Sequence, residues 1–527
     1  MNNINILDCT LRDGGYVNQF NFGQIVIKDI IDKLSKASID IIECGFLVSG
    51  AFDPEKSLFG SVETMRPLLQ NRNPNLMYVA MIQYGAISIE EISDFDETSI
   101  DGIRLTFHQH EIDEAFVLGE KLMAKGYKVF MQPVGTMTYT DDALLALIKR
   151  INNLQPFAFY IVDTLGTMYK KDLLHMFYLV DGQLNKGIAL GFHSHNNLQL
   201  SFANAQELLQ LNTKRKLIID ASVFGMGRGA GNLNTELITQ YINDNMVLRY
   251  DNIQILEIID QYIKPLSFKY KWGYDAAYYI AAVSGCHPNY ASFLLEKQTL
   301  HIQDIGYILG NLDKEKCSLF DKEYISQEYV RFMDRHIEDA ENQEKLKRLI
   351  GDKKVLLIAP GGSVGNKTQE ITALAETGEY FIITINFLPK DFQADMLFVS
   401  NMKRFTGIKE IQKNQSLYIA MTSNISTKKD SRMLLFDYLS YTNEESCIFD
   451  NSGLMCMNLL NRIGIKQIFL MGFDGFSINI KENYYNDAML TSEEMAKLIN
   501  VNEAMRKKVA QLKVQMDIVF LTKSAYN

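Results

Sequence analysis

Eight short β-rich runs, spaced 25–40 residues apart and separated by segments of helical periodicity, constrain the first 240 or so residues more than any other feature. The runs are Ile4–Thr10, Ile39–Glu43, Leu76–Ile82, Gly102–Phe107, Lys128–Pro133, Phe157–Asp163, Ala189–His195 and Leu217–Phe224. Between the first two, Ile25, Ile27, Ile30, Ile31 and Leu34 recur at helical spacing, with Lys28, Asp29, Asp32 and Lys33 on the other face. Strands that alternate with helices pair in parallel, because a parallel partner can be reached only by a crossover. Eight such units in this length predict a (β/α)8 TIM barrel, with an open doubly wound sheet as the alternative.

A barrel of this kind demands polar functional residues where its strands end, since its active sites lie on that face. Run one leads into Arg12-Asp13, run two ends at Glu43, and run four ends at Arg104, His108 and His110. Run five ends at Gln132, run six at Asp163 and run seven at His193 and His195. Four of the eight histidines in the chain fall at these ends, which scattered loop histidines would not do. A guanidinium beside a carboxylate is poor core material; it suits a place where a cation and a developing oxyanion meet. Residues i and i+2 of a strand point to one face roughly 6–7 Å apart, so His193 and His195 can share one cation.

Three separated motifs carry a resemblance. They are Leu11-Arg12-Asp13-Gly14, His193-Ser194-His195-Asn196-Asn197 and Gly229-Ala230-Gly231-Asn232, in this order along the runs. With them the first 290 or so residues resemble the DRE-TIM metallolyases, and within them the 4-hydroxy-2-oxovalerate aldolase-like branch. The resemblance implies a divalent cation on Asp13, His193 and His195, with Asn232 as a fourth ligand or a support to the other three. Mn²⁺ is the first choice for such a mixed N/O set, with Mg²⁺, Co²⁺ or Zn²⁺ as alternatives. It also implies a pyruvate-type enolate whose charge is shared between the metal and Arg12. Aldolases of this branch carry a histidine three residues after the metal-binding aspartate, where this chain has Tyr16. A phenol, with a reference pKa of about 10, is a poor base at neutral pH but a competent proton donor. Tyr16 is therefore a candidate proton donor, and His108, His110 and Glu43 are candidate replacements for the missing histidine. Tyr274, His287 and Tyr290, in the helical stretch after the barrel, are candidate lid residues.

The 527 residues exceed one ordinary domain. We read a barrel over 1–245, a helical lid or connector over 246–350, and a Rossmann-like α/β domain over 351–527. The last opens with Val355–Ala359 running into Pro360-Gly361-Gly362-Ser363, a turn that presents backbone N–H groups to a phosphate. Further strands end at Asn386 and at Gly472-Phe473-Asp474, and Ser452-Gly453 opens a helix. Polar residues at successive strand ends suit a crevice at the carboxyl edge of an open parallel sheet. This half is similar to the sialyltransferase-like, Rossmann-type domains of bacterial surface-glycan enzymes. That resemblance implies a nucleotide or nucleotide-sugar held by Gly361, Gly362, Ser363, Asn386, Ser452 and Asp474. All eight histidines precede residue 340, which favours binding over independent transferase chemistry in this half.

A net charge of −10 argues against nucleic acid as a partner. No apolar run reaches the roughly 18–20 residues that span a bilayer. The start shows no basic segment followed by an apolar stretch, and the six cysteines are scattered without CxxC spacing, as in a reducing cytoplasm. The resulting expectation is a cytoplasmic, metal-dependent carbon–carbon lyase of the class II aldolase type. It would act on a 2-oxo acid and a sugar-derived aldehyde in bacterial surface polysaccharide biosynthesis, as a homodimer by analogy with related barrels. The alternatives are an acyl-CoA condensing synthase on the same barrel, or a bifunctional glycan transferase whose second domain carries the activity.

Overall fold

The structure, a computed structural model, describes residues 3–50, 53–211, 213–297, 299–409, 417–425, 431–477, 483–485 and 495–527. The chain forms two compact units: Met1–Phe293 with Leu309–Asp321, and Leu294–Ile308 with Lys322–Asn527. The helices that follow the barrel are thus divided between the units. Among the described residues no helix is long and apolar enough to cross a membrane.

Unit one is built on β1 (Ile4–Asp8), β2 (Ile41–Leu47), β3 (Met77–Gln83), β4 (Gly102–Phe107), β5 (Lys128–Pro133), β6 (Ala158–Asp163), β7 (Ala189–Ser194) and β8 (Leu217–Ala221). All pair in parallel in sequence order, and β1 bonds both β2 and β8. That double pairing closes the sheet into an eight-stranded barrel and excludes the open alternative. The wall between strands and helices is filled by residues such as Ile6, Ile42, Ile103, Ile161 and Ile219. The inside holds Leu7, Ile41, Val79, Phe130, Tyr160 and Ile218.

Period-two alternation then decides what lies one layer higher. Two residues after each inward apolar side chain comes Glu43 on β2, Gln132 on β5, Asp220 on β8, and Arg104 two after Gly102 on β4. Gly191 on β7 leaves the space that the Tyr160 ring occupies, and His193 is two residues on. Two sequence boundaries are corrected by this. Glu43 does not end its strand, and Arg104 lies in mid-strand; both point into the barrel rather than onto its rim. β2 continues to Leu47 through a register shift between Glu43 and Phe46. Gly45 makes the shift possible: its φ is +149°, and a Cβ there would lie 2.2 Å from Ser57 O.

Asp8, at the end of β1, is fully buried and accepts from the Thr10 N–H at 2.9 Å and the Thr235 hydroxyl at 2.6 Å. Burial outweighs these bonds and raises its carboxyl to about 6. The folded state therefore binds this proton more tightly than the unfolded chain. The stability it contributes is full below about pH 4 and is lost as pH rises through about 6, at up to about 1.4 kcal/mol per pH unit. Denaturant unfolding between pH 4 and 7 is expected to show this loss in the wild type and a flatter profile in Asp8→Asn. Equal slopes would remove Asp8 as the cause.

Unit two holds β9 (Lys354–Ile358), β10 (Tyr380–Ile385), β11 (Met396–Val399), β12 (Tyr418–Thr422), β13 (Met433–Phe436), β14 (Gln467–Met471) and β15 (Asp517–Phe520). They form one parallel sheet in the order β13-β12-β11-β10-β9-β14-β15. The order reverses at β9, where an open α/β sheet splits and leaves a crevice. Both edge strands, β13 and β15, are absent from the sequence reading.

Candidate active site

After β1 the chain turns back so that the Arg12 and Asp13 N–H groups both donate to Cys9 O, at 3.1 and 2.8 Å. The turn carries both side chains into the barrel mouth, where Asp13 is fully buried and Arg12 is 4% exposed. Arg12 Nη1 donates to Asp13 Oδ1 at 2.6 Å, and Asn232 Nδ2 donates to Asp13 Oδ2 at 2.7 Å. One ligand-capable atom each from Asp13, His193 and His195 lies within 4.8 Å of the others. His195 Nδ1 is buried without a partner 3.9 Å from Asp13 Oδ2, and Asn232 Oδ1 is likewise buried and unpartnered. Gly227 backs directly onto this group. A Cβ there would lie 2.5 Å from Asn232 Nδ2 and 3.1 Å from Asp13 Oδ2.

Behind the cluster runs a chain of buried charges. His193 Nδ1 lies 3.0 Å from Asp220 Oδ2, which leaves Nε2 as its ligand-capable nitrogen. Arg104 bonds the same Asp220 oxygen and, through Nη1 at 2.7 Å, Glu43 Oε2. Glu43 Oε2 also accepts from Arg12 Nε at 2.8 Å. Tyr160 donates its hydroxyl to Asp220 Oδ1 at 3.1 Å, and Gln132, with its carboxamide oxygen turned inward, accepts from Arg104 Nε at 2.7 Å. Asp13, Arg12, Glu43, Arg104, Asp220 and His193 thus form one continuous string.

The electrostatics favour a cation. Three carboxylates (Asp13, Glu43, Asp220) face Arg12 and Arg104 inside the string and Arg228 beyond it, and the buried ligand-capable atoms His195 Nδ1 and Asn232 Oδ1 are left without a partner. Burial would raise Asp13, but Arg12, with the two histidines and Arg228, holds its carboxyl well below the usual range. Burial pushes His195 down to about 3, so its imidazole is neutral and ready to ligate. A carboxylate–imidazole pair such as Asp220–His193 fixes the tautomer of a metal-binding histidine. The donor set and its two orphaned atoms therefore fit a divalent cation.

The structure brings Arg12, Asp13, Glu43, His193, His195 and Asn232 together. Tyr16 stands at the edge of the group, with its ring against Phe20 and Phe46 at 5.1 and 5.8 Å. His108 does not share these contacts: its backbone N–H donates to Glu111 at 2.7 Å, and its ring stacks on His110 at 5.7 Å. Of the lid candidates, Tyr290 is buried and donates to Lys316 O or Leu319 O, Tyr274 is exposed, and His287 is buried. Sequence reasoning missed Asp220 and gave Arg104 no role. The signal was present in both: a single charge inside an apolar strand, two residues beyond an inward-facing position.

In unit two, Gly361, Asn386, Ser452 and Asp474 line a cavity of about 260 Å³ at the β9/β14 switch point; Gly362 and Ser363 lie outside its lining. Asn386 holds a left-handed φ of +59° and donates to Ser452 Oγ at 2.8 Å. The turn differs from its expected open form. The Ser363 N–H and hydroxyl are already taken by Asp474, at 2.8 and 2.6 Å.

Fold and site define a closed parallel barrel with a buried carboxylate–imidazole cluster at its mouth. Residues 96–261 match the HMGL-like family, so unit one carries an HMGL-like domain of the DRE-TIM kind. The chain is 28% identical over 234 residues to oxaloacetate decarboxylase of Mycobacterium tuberculosis, covering 44% of this chain and 68% of that protein. It is 24% identical over 271 residues to 4-hydroxy-2-oxovalerate aldolase of Geobacillus genomosp. 3, covering 50% and 77%. It is 26% identical over 275 residues to 4-hydroxy-2-oxovalerate aldolase 2 of Comamonas testosteroni, covering 50% and 75%.

Proposed function

We propose that the barrel is a divalent-metal-dependent carbon–carbon lyase working through a pyruvate-type enolate. The observation that carries this reading is the Asp13, His193 and His195 cluster beside Arg12, whose Nη2 is buried without a partner. Relatives named as aldolases and as a decarboxylase support it, since both names describe cleavage of a carbon–carbon bond. A cation held by Asp13, His193 and His195, with Asn232 beside them, supplies Lewis acidity toward a 2-oxo acid; Mn²⁺ is the metal we put forward.

In the cleavage direction the C4 hydroxyl of a 4-hydroxy-2-oxo acid gives up its proton and the C3–C4 bond breaks. Its electron pair becomes the enolate, C4 becomes the aldehyde carbonyl, and C3 then takes a proton to give pyruvate. Arg12 is the donor to the enolate oxygen. Glu43 and Asp13 hold its Nε and Nη1, so Nη2 is oriented before the charge develops. Glu43 acts here as a positioning residue, because its Oε2 already accepts from Arg12 and forms an ion pair with Arg104. Tyr16 is put forward for proton exchange with the C4 oxygen ahead of His108, whose contacts are with its own turn.

The finer reading is a sugar-derived aldehyde, handled by a cytoplasmic homodimer in surface polysaccharide synthesis. Unit two would hold a nucleotide or nucleotide-sugar in its switch-point cavity. With Ser363 occupied by Asp474, Asn386, Ser452 and Gly361 are the residues left to meet that ligand.

The test is Mn²⁺-stimulated release of pyruvate from a panel of 4-hydroxy-2-oxo acids. Arg12→Ala is expected to lower kcat by about 10²–10³-fold while still binding Mn²⁺. Metal binding without pyruvate from any member of the panel would overturn the enolate reading.

A further inference from the structure

The string of buried charges accounts for Arg12 and Arg104 but leaves a third guanidinium at the mouth. Arg228 sits on the loop after β8, between Gly227, which backs onto Asp13 and Asn232, and Gly229. The loop is fixed by its backbone. Gly231 N–H donates to Arg228 O at 2.9 Å, Asn232 N–H to Gly225 O at 3.0 Å, and Ala230 N–H to Asn197 Oδ1 at 2.9 Å. The left-handed φ of +63° at Gly229, where a Cβ would lie 2.8 Å from Asn197 Oδ1, belongs to the same fixed loop.

The Arg228 guanidinium carbon lies 4.2 Å from the centre of the Tyr16 ring. Tyr16 packs in turn on Phe46, over which the Arg12 guanidinium lies at 5.9 Å. Arg228 and Arg12 thus stand at opposite ends of one aromatic pair. Their surroundings differ. Arg12 is neutralised by Asp13 and Glu43, whereas among the described residues no carboxylate pairs with Arg228, and its Nε is buried without a partner.

A guanidinium stacked on an aromatic face, held on a rigid loop and bonded to no carboxylate, can receive one from a ligand. We propose that Arg228 determines specificity by binding a second anionic group, a carboxylate or a phosphate, on the half of the substrate that becomes the aldehyde. The inference rests on the enolate reading above. The 2-oxo acid end would lie at the cation site and Arg12, and the far end at Arg228. Tyr16 would then serve two ends, as the platform that orients Arg228 and as the group nearest the bond between the two halves.

The test is calorimetric titration of the full chain loaded with Mn²⁺, using small probes in place of substrate. Oxalate engages only the 2-oxo acid end. 2-Oxobutyrate has a neutral far end, 2-oxoglutarate a carboxylate and 4-phosphono-2-oxobutyrate a phosphonate. Wild type is expected to bind at least one of the two doubly anionic probes at least tenfold more tightly than 2-oxobutyrate. Arg228→Ala is expected to abolish that preference while oxalate still binds, and Arg228→Lys to restore part of it. Which of the two probes shows the larger loss identifies the anion. Oxalate binding with the preference unchanged in Arg228→Ala overturns this inference alone. No oxalate binding in the wild type overturns the enolate reading and this inference with it.

Discussion

Asp13→Ala is expected to lower Mn²⁺ affinity by more than about 100-fold, and Asp220→Asn by about 10–100-fold, the range found for groups that orient metal-binding histidines. Asp13 is the one anionic donor of the cluster, so its loss leaves the two imidazoles and Arg12, whose charge then repels a cation. Asp220 touches no ligand position itself. It bonds His193 Nδ1 at 3.0 Å and so decides which nitrogen faces the site. An asparagine there can present either an oxygen or an amide nitrogen to the ring, and Arg104 competes for the oxygen. Titration of Mn²⁺ into each variant measures the ranking, with circular dichroism to confirm folding. If a folded Asp13→Ala protein bound Mn²⁺ like the wild type, the cluster would not be the metal site.

Arg104→Met is expected to destabilise unit one by about 3–5 kcal/mol, the cost of leaving a buried charge without its partner. Arg104 is fully buried and bridges Glu43 and Asp220, themselves 1% and 2% exposed. Truncation takes one buried cation from each carboxylate, leaving Glu43 to Arg12 alone and Asp220 to His193 and Tyr160. The double variant Arg104→Met with Asp220→Asn should lose less than the sum of its parts, because one stranded charge is removed with its partner. Denaturant unfolding of the four proteins of this cycle gives the coupling. Strict additivity would mean that Arg104 and Asp220 do not depend on each other, against the geometry.

Much of the barrel was legible because its signals are local. A period of two in the runs, a period of 3.6 between them and their regular spacing are properties of a strand, a helix and a crossover, and none needs a distant partner. The metal candidates were legible for a related reason: a histidine pair at i and i+2 shares a face in any strand. The surroundings of His108 were not legible, for the opposite reason. Position at a strand end says which rim a residue reaches but not which way its ring turns, and here its own turn and His110 hold it.

The sequence by itself determined that the chain has a parallel, crossover-linked first half, an Arg-Asp pair and a histidine pair on its strand ends, and a second α/β unit. Only the tertiary structure decided that β1 closes on β8, because closure is a contact between residues more than 200 positions apart. Only it joined Glu43, Arg104 and Asp220, from three separate strands, into one buried string. It also showed Arg228 bonded to no carboxylate among the described residues, and the glycine-rich turn of unit two closed by Asp474. In each case the deciding quantity is which charge meets which, and that depends on the three-dimensional neighbours of a side chain rather than on its neighbours in sequence.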